Sequence, residues 1–179
     1  TTLLGYNAGL SIVSGAINNT FIGHAVSDAT MTDSADNNTG VGYIALGSLT
    51  SGGSNTSLGS GSLKTITTGN ENVAVGFQSA QSFGNQEIGN TSIGTNAMNS
   101  FNEGGDGGDI NYNVALGLEA FLGGSLAGGT NEVIGNIAIG AYALDATSTN
   151  AQTGTIAIGY NALTALTSGA QNVAIGYQA

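Results

Sequence analysis

The chain has 179 residues, no Pro, Cys or Trp, and a single basic residue, Lys64, against eleven acids, for a net charge of −10. That balance excludes nucleic-acid partners, whose backbones need Lys and Arg to displace counterions, and argues against anionic membrane surfaces. No stretch reaches the roughly 20 apolar residues of a spanning helix, so no membrane insertion is expected of this segment, and no basic-plus-apolar leader opens it.

One phrase recurs ten times: Asn, a β-branched residue, a small residue, an aliphatic residue, Gly, and then often Tyr-x-Ala-Leu. The anchoring glycines are Gly5, Gly23, Gly42, Gly59, Gly76, Gly94, Gly117, Gly140, Gly159 and Gly176, spaced 18, 19, 17, 17, 18, 23, 23, 19 and 17 residues apart. A period of this length that tolerates insertions predicts a solenoid with one coil per repeat. The expected fold is therefore an all-β parallel β-solenoid of about ten coils of 17–23 residues, with residues 1–179 as a single repeat domain. The chain opens and closes inside a repeat, so it is expected to be a fragment of something longer.

The first strand is predicted across Thr2–Leu4, the next across Thr20–Ile22, and so on to Val173–Ile175. In each, a β-branched residue and an aliphatic residue stand two apart, which places them on one face of a strand. That face is read as inward, making Ile139 and Ile158 core residues. The residue between them is small in most repeats, and this column is read as outward. Because small side chains let backbones approach closely, Ala74, Ala115, Ala138, Ala157 and Ala174 are the candidate interface between chains.

An Asn precedes almost every strand, from Asn19 and Asn38 to Asn136 and Asn172, with Thr1 and Thr155 completing the column. Asn tolerates turns, and stacked Asn side chains bond along a ladder. After each anchoring glycine comes a small column, Ala8 to Ala179, and a bulkier one that includes Leu46, Leu63, Met98, Phe121, Leu144 and Leu163. Together they predict a second, shorter strand that closes the coil. Where the spacing rises to 23, insertions at 99–111 and 122–132 are Gly-rich and predict surface loops.

Sites for chemistry are sparse. His24 is the only histidine and takes the column that elsewhere holds Tyr6, Tyr43, Phe77, Tyr160 and Tyr177, so it is read as one ring of an aromatic ladder. A lone His without Cys supports neither a hydrolytic triad nor zinc. Glu103, Asp106 and Asp109 lie on a Gly-rich loop and form the one candidate set of oxygen ligands for Ca²⁺, though their spacing matches no known calcium loop. A solvated acidic loop is the simpler reading, and no cofactor is expected. Asn18, Asn37, Asn55 and Asn90 each begin an Asn-x-Ser/Thr sequon, read as a by-product of the repeat.

Asn172-Val173-Ala174-Ile175-Gly176 and its variants resemble the head repeats of YadA-like trimeric autotransporter adhesins. The fuller Thr155-Ile156-Ala157-Ile158-Gly159-Tyr160-Asn161-Ala162-Leu163 is similar to repeats in bacteriophage tail fibres. The resemblance covers the whole chain. It implies a left-handed β-roll, a homotrimer, and a place outside the cell on a virion or bacterial surface. The expected function is a structural or adhesive fibre segment, shaft or head. The alternative is a receptor- or glycan-binding head that meets a host-surface or matrix ligand through loops 99–111 and 122–132, for which Phe101, Tyr112 and Phe121 supply aromatics. An enzyme is not expected, because the acids are dispersed over many coils at irregular phases and glycan hydrolysis needs a carboxylate pair.

Overall fold

Three-residue strands are short, but their repetition makes each one a rung of a continuous sheet. The computed structural model describes every residue except 102–107, 125, 127–130 and 147–149. Its strands are β1 (Thr2–Leu4), β2 (Thr20–Ile22), β3 (Thr39–Val41), β4 (Thr56–Leu58), β5 (Val73–Val75), β6 (Thr91–Ile93), β7 (Ile110–Asn111), β8 (Val114–Leu116), β9 (Val133–Ile134), β10 (Ile137–Ile139), β11 (Gln152–Thr153), β12 (Ile156–Ile158) and β13 (Val173–Ile175). Ten of these, one per repeat, form a parallel sheet in which each pairs with its neighbours in sequence order. The register places equivalent residues side by side, Thr2 beside Thr20 and Ala138 beside Ala157. At about 4.8 Å per rung the sheet runs roughly 45 Å. The chain is an all-β parallel β-solenoid, with no helix among the described residues.

A second ladder, β7, β9 and β11, forms a three-stranded parallel sheet just before the Asn column of the later coils. A bridge between Asn70 and Ile88 carries the same pairing one coil earlier. The sequence reading did not anticipate this ladder. It rests on Ile110, Val133 and Gln152, stacked and buried.

The expected second strand after the glycine is absent among the described residues, and turns replace it. Ile44 and Leu46 both have φ of 54°, and Tyr142 and Leu144 have φ of 59° and 56°. Two left-handed residues per coil turn two consecutive side chains inward, Ala45 with Leu46 and Ala143 with Leu144, which a strand cannot do. Each such non-Gly residue costs about 1–2 kcal/mol. Bonds to the coils on both sides compensate: Ile44 N–H donates to the carbonyl of His24 at 3.0 Å and Leu46 N–H to that of Ser62 at 3.2 Å.

The anchoring glycines allow this stacking. All ten have φ between 126° and 145°, a region barred to side chains. A Cβ on Gly140 would lie 2.5 Å from the carbonyl oxygen of Gly159 in the next coil.

The interior is part amide, part apolar. Asn19, Asn38, Asn55, Asn72, Asn90, Asn113 and Asn136 are buried and stacked. Each Oδ1 from Asn19 to Asn113 accepts both the backbone N–H and the Nδ2 of the next Asn, at 2.9–3.2 Å. Each Nδ2 also donates to a carbonyl, as Asn113 does to Val133 at 2.7 Å. The expected ladder is therefore present, and it meets the requirement that buried amides be paired.

Candidate interaction face

Alternation along each strand fixes which side chains look inward. With Asn19 inside, Thr20 points out, Phe21 in and Ile22 out, and the burial of β2 follows that order. The small column is thus interior: Ala74, Ala115, Ala138 and Ala157 are 0% exposed within the single chain, and Ala174 on the last rung is half-buried. This overturns the reading of these five alanines as an outward contact between chains. The reason is volume. The turn wall already fills the coil with Leu46, Leu63, Met98, Phe121 and Leu144, so the facing strand has room only for Gly, Ala or Ser. Where Phe21 intrudes, its neighbour is Gly40, whose Cβ would lie 3.2 Å from the Phe21 ring and 2.7 Å from Val26. Two serine pairs, Ser57 with Ser62 and Ser79 with Ser92, meet across the same gap and bond to each other.

Ile139 and Ile158, expected in the core, instead flank those alanines on the outer face and are only partly buried. The outer face carries the aliphatic column from Leu4 to Ile175 and the β-branched column from Thr2 to Val173. Leu58 and Ile93 are 48% and 40% exposed there. The β-branched column changes along the chain: Thr2, Thr20, Thr39, Thr56 and Thr91 with Val73, then Val114, Ile137, Ile156 and Val173.

Beside these two columns runs the aromatic one. His24 lies between Tyr6 and Tyr43, with ring centroids 5.2 and 5.3 Å away, and Tyr160 stacks on Tyr177 at 5.5 Å. Their planar faces meet each other along the axis and their edges meet solvent. His24 is a member of this ladder, as expected, and among the described residues no acid bonds its ring to orient it as a base. None of the three outward columns contains Asp, Glu, Lys or Arg. For a chain with eleven acids that is a strong segregation.

The remaining candidates separate. Glu103 and Asp106 lie outside the described residues, and Asp109 is exposed just before β7. Among the described residues no three His, Cys, Asp or Glu side chains gather as metal ligands. Residues 102–107, 125 and 127–130 of the two insertions also lie outside the described residues, but Phe101 and Phe121 do not. They are buried against each other, centroids 4.9 Å apart and edge to face, so of the three aromatics only Tyr112 is exposed to a ligand. Of the sequons, Asn55 and Asn90 are inside the ladder, beyond reach of any glycan, whereas Asn18 and Asn37 lie at the surface with Asn18 Nδ2 donating to Asn37 Oδ1 at 3.1 Å. A cleft over the last coil, lined by Leu163, Leu166 and Ala179 among others, contains no titratable side chain. No described helix is long and apolar enough to cross a membrane.

Comparison of the chain with protein-family models, with curated proteins and with solved structures found no significant match.

Proposed function

We propose that this solenoid is a segment of an extracellular fibre, a shaft or head on a virion or bacterial surface, in which three copies pack through the outward face of the ten-stranded sheet. The observation that carries the reading is the uncharged, largely apolar face, with Thr on its N-terminal half, that runs the length of a chain of net charge −10. Roughly 45 Å long and about 10 Å wide, it covers about 450 Å², within the range of the largest apolar patches on monomers, which are often functional. Loss of charge from a patch centre, with charge kept around it, is the composition of a protein–protein interface. A second copy is the occupant that fits best. Its face repeats at the same rung spacing, and side by side the copies bring uncharged columns together while keeping their acids apart. Threefold closure, the left-handed roll and the surface location rest on the likeness to adhesin heads and tail fibres. A fibre segment of this kind is a scaffold, with no role as an enzyme.

Sedimentation of the parent is expected to give a trimer. Ile139→Glu combined with Ile158→Glu puts two charges per chain into the contact and is expected to yield monomers with an unchanged strand signal in circular dichroism, since both positions are only partly buried in the single chain. Ala138→Glu, one residue away, points into the coil and is expected to unfold it, because a buried charge without a partner is costly. A parent that sediments as a monomer would refute the fibre reading.

A further inference from the structure

The Asn ladder that runs from Asn19 to Asn136 stops at Thr155. Among the described residues Asn136 Oδ1 accepts only the backbone N–H of Thr155, at 2.9 Å, whereas every Asn Oδ1 earlier in the ladder accepts two donors. Thr155 stands where an Asn would supply the second. Its hydroxyl is buried and meets no hydrogen-bond partner among the described residues. Three residues earlier a second departure from the repeat faces the same interior. Gln152 takes the place that Ile110 and Val133 fill in the two preceding coils, and its side chain is fully buried with neither Oε1 nor Nε2 partnered among the described residues. Gln152 also adjoins Asn136 directly, since its carbonyl accepts Asn136 Nδ2 at 2.8 Å.

An acceptor with a spare lone pair, a hydroxyl, and an amide with both a donor and an acceptor are thus buried on two adjacent coils, linked through the bonds of Asn136 to Thr155 N–H and the Gln152 carbonyl. Buried polar groups are almost always paired, and an internal water characteristically makes about three hydrogen bonds to such groups. We infer that the coil carrying β11 and β12 binds a water molecule in its interior. The water donates to Asn136 Oδ1 in place of the absent Asn amide and bonds Thr155 Oγ1 and the Gln152 side chain. The two departures from the repeat are then one feature: shortening Asn to Thr makes room for the water, and Gln instead of Val or Ile supplies its third partner.

The test pairs a high-resolution crystal structure with two variants. In the parent, solvent density is expected within hydrogen-bond distance of both Asn136 Oδ1 and Thr155 Oγ1; a dry interior there overturns the inference. Thr155→Val keeps the shape and removes one partner of the water, so its melting temperature, at matched protein concentration, should fall by about 2–4 °C. If the hydroxyl were merely buried and unpaired, the same change would leave the melting temperature unchanged or raise it, and that result would also overturn the inference. Thr155→Asn supplies the amide itself and should remove the density, whereas density persisting in that variant would count against the site.

Discussion

Replacing Gly140 with Ala is expected to destroy the native stack. The new methyl would sit 2.5 Å from the carbonyl oxygen of Gly159 and 2.6 Å from its carbonyl carbon. That backbone cannot retreat cheaply, because Gly159 N–H is held by the carbonyl of Ile139 at 2.7 Å. The φ of 126° adds strain of about 1–3 kcal/mol for any residue with a side chain. Together these place the change in the rare class that loses more than about 4 kcal/mol. Gly135→Ala is the control, since a Cβ there meets nothing within 4 Å and its φ is 67°, so only the left-handed cost of about 1–2 kcal/mol applies. Urea denaturation of both variants reads the difference, and equal midpoints would show that rung-to-rung contact does not set the glycine column.

Asn113→Ala is the second large effect. Asn113 Nδ2 donates to Asn90 Oδ1 and to the carbonyl of Val133, while its Oδ1 accepts the backbone N–H and Nδ2 of Asn136. Truncation orphans two donors of Asn136 and one carbonyl, all in a site without water access from the surface. At about 1–3 kcal/mol per buried unsatisfied group, the loss is expected to be about 4 kcal/mol or more. A loss below about 1 kcal/mol in thermal or denaturant unfolding would mean that the ladder is ornamental and that stacking of the strands alone holds the coils together.

Much of this architecture is legible in the sequence because the repeat fixes phase. The ten strands, their register, the Asn ladder and the place of His24 all follow from which residue types recur at which offset. Facing is harder. Alternation says that Thr20 and Ile22 share a side, but not which side, and the usual rule that aliphatics go inward misleads here. Both sides of the strand are apolar, one because it fills a narrow coil and the other because, in the proposed fibre, it meets another chain. A signal for the correct choice was present. An Asn column able to ladder only inside the coil stands two residues before the small column, so both share a face, and Phe21 in that column suits a core better than a close sheet contact. The expected second strand failed for a related reason. Ala143 and Leu144 are adjacent and both apolar, a pattern that alternation forbids in a strand and that paired left-handed turns permit. The ladder of β7, β9 and β11 was hidden because its column changes from Ala35 and Gly52 through Glu87 to Ile110 and Val133, without a common residue type.

The directions of these bonds have a mechanical consequence. Strand pairing, the turn-wall bonds and the Asn ladder all link one coil to the next along the solenoid axis, so a pull on the two ends of a chain loads them in tension, not in shear. Within a rung the bonds share the force, whereas successive rungs bear it in series, and the weakest rung yields first. Each rupture frees one repeat of 17–23 residues, about 60–80 Å of extended chain. Drawn from its ends by an optical trap, a single solenoid should lengthen in steps of that size, and the first step should come where the Asn column is interrupted at Thr155.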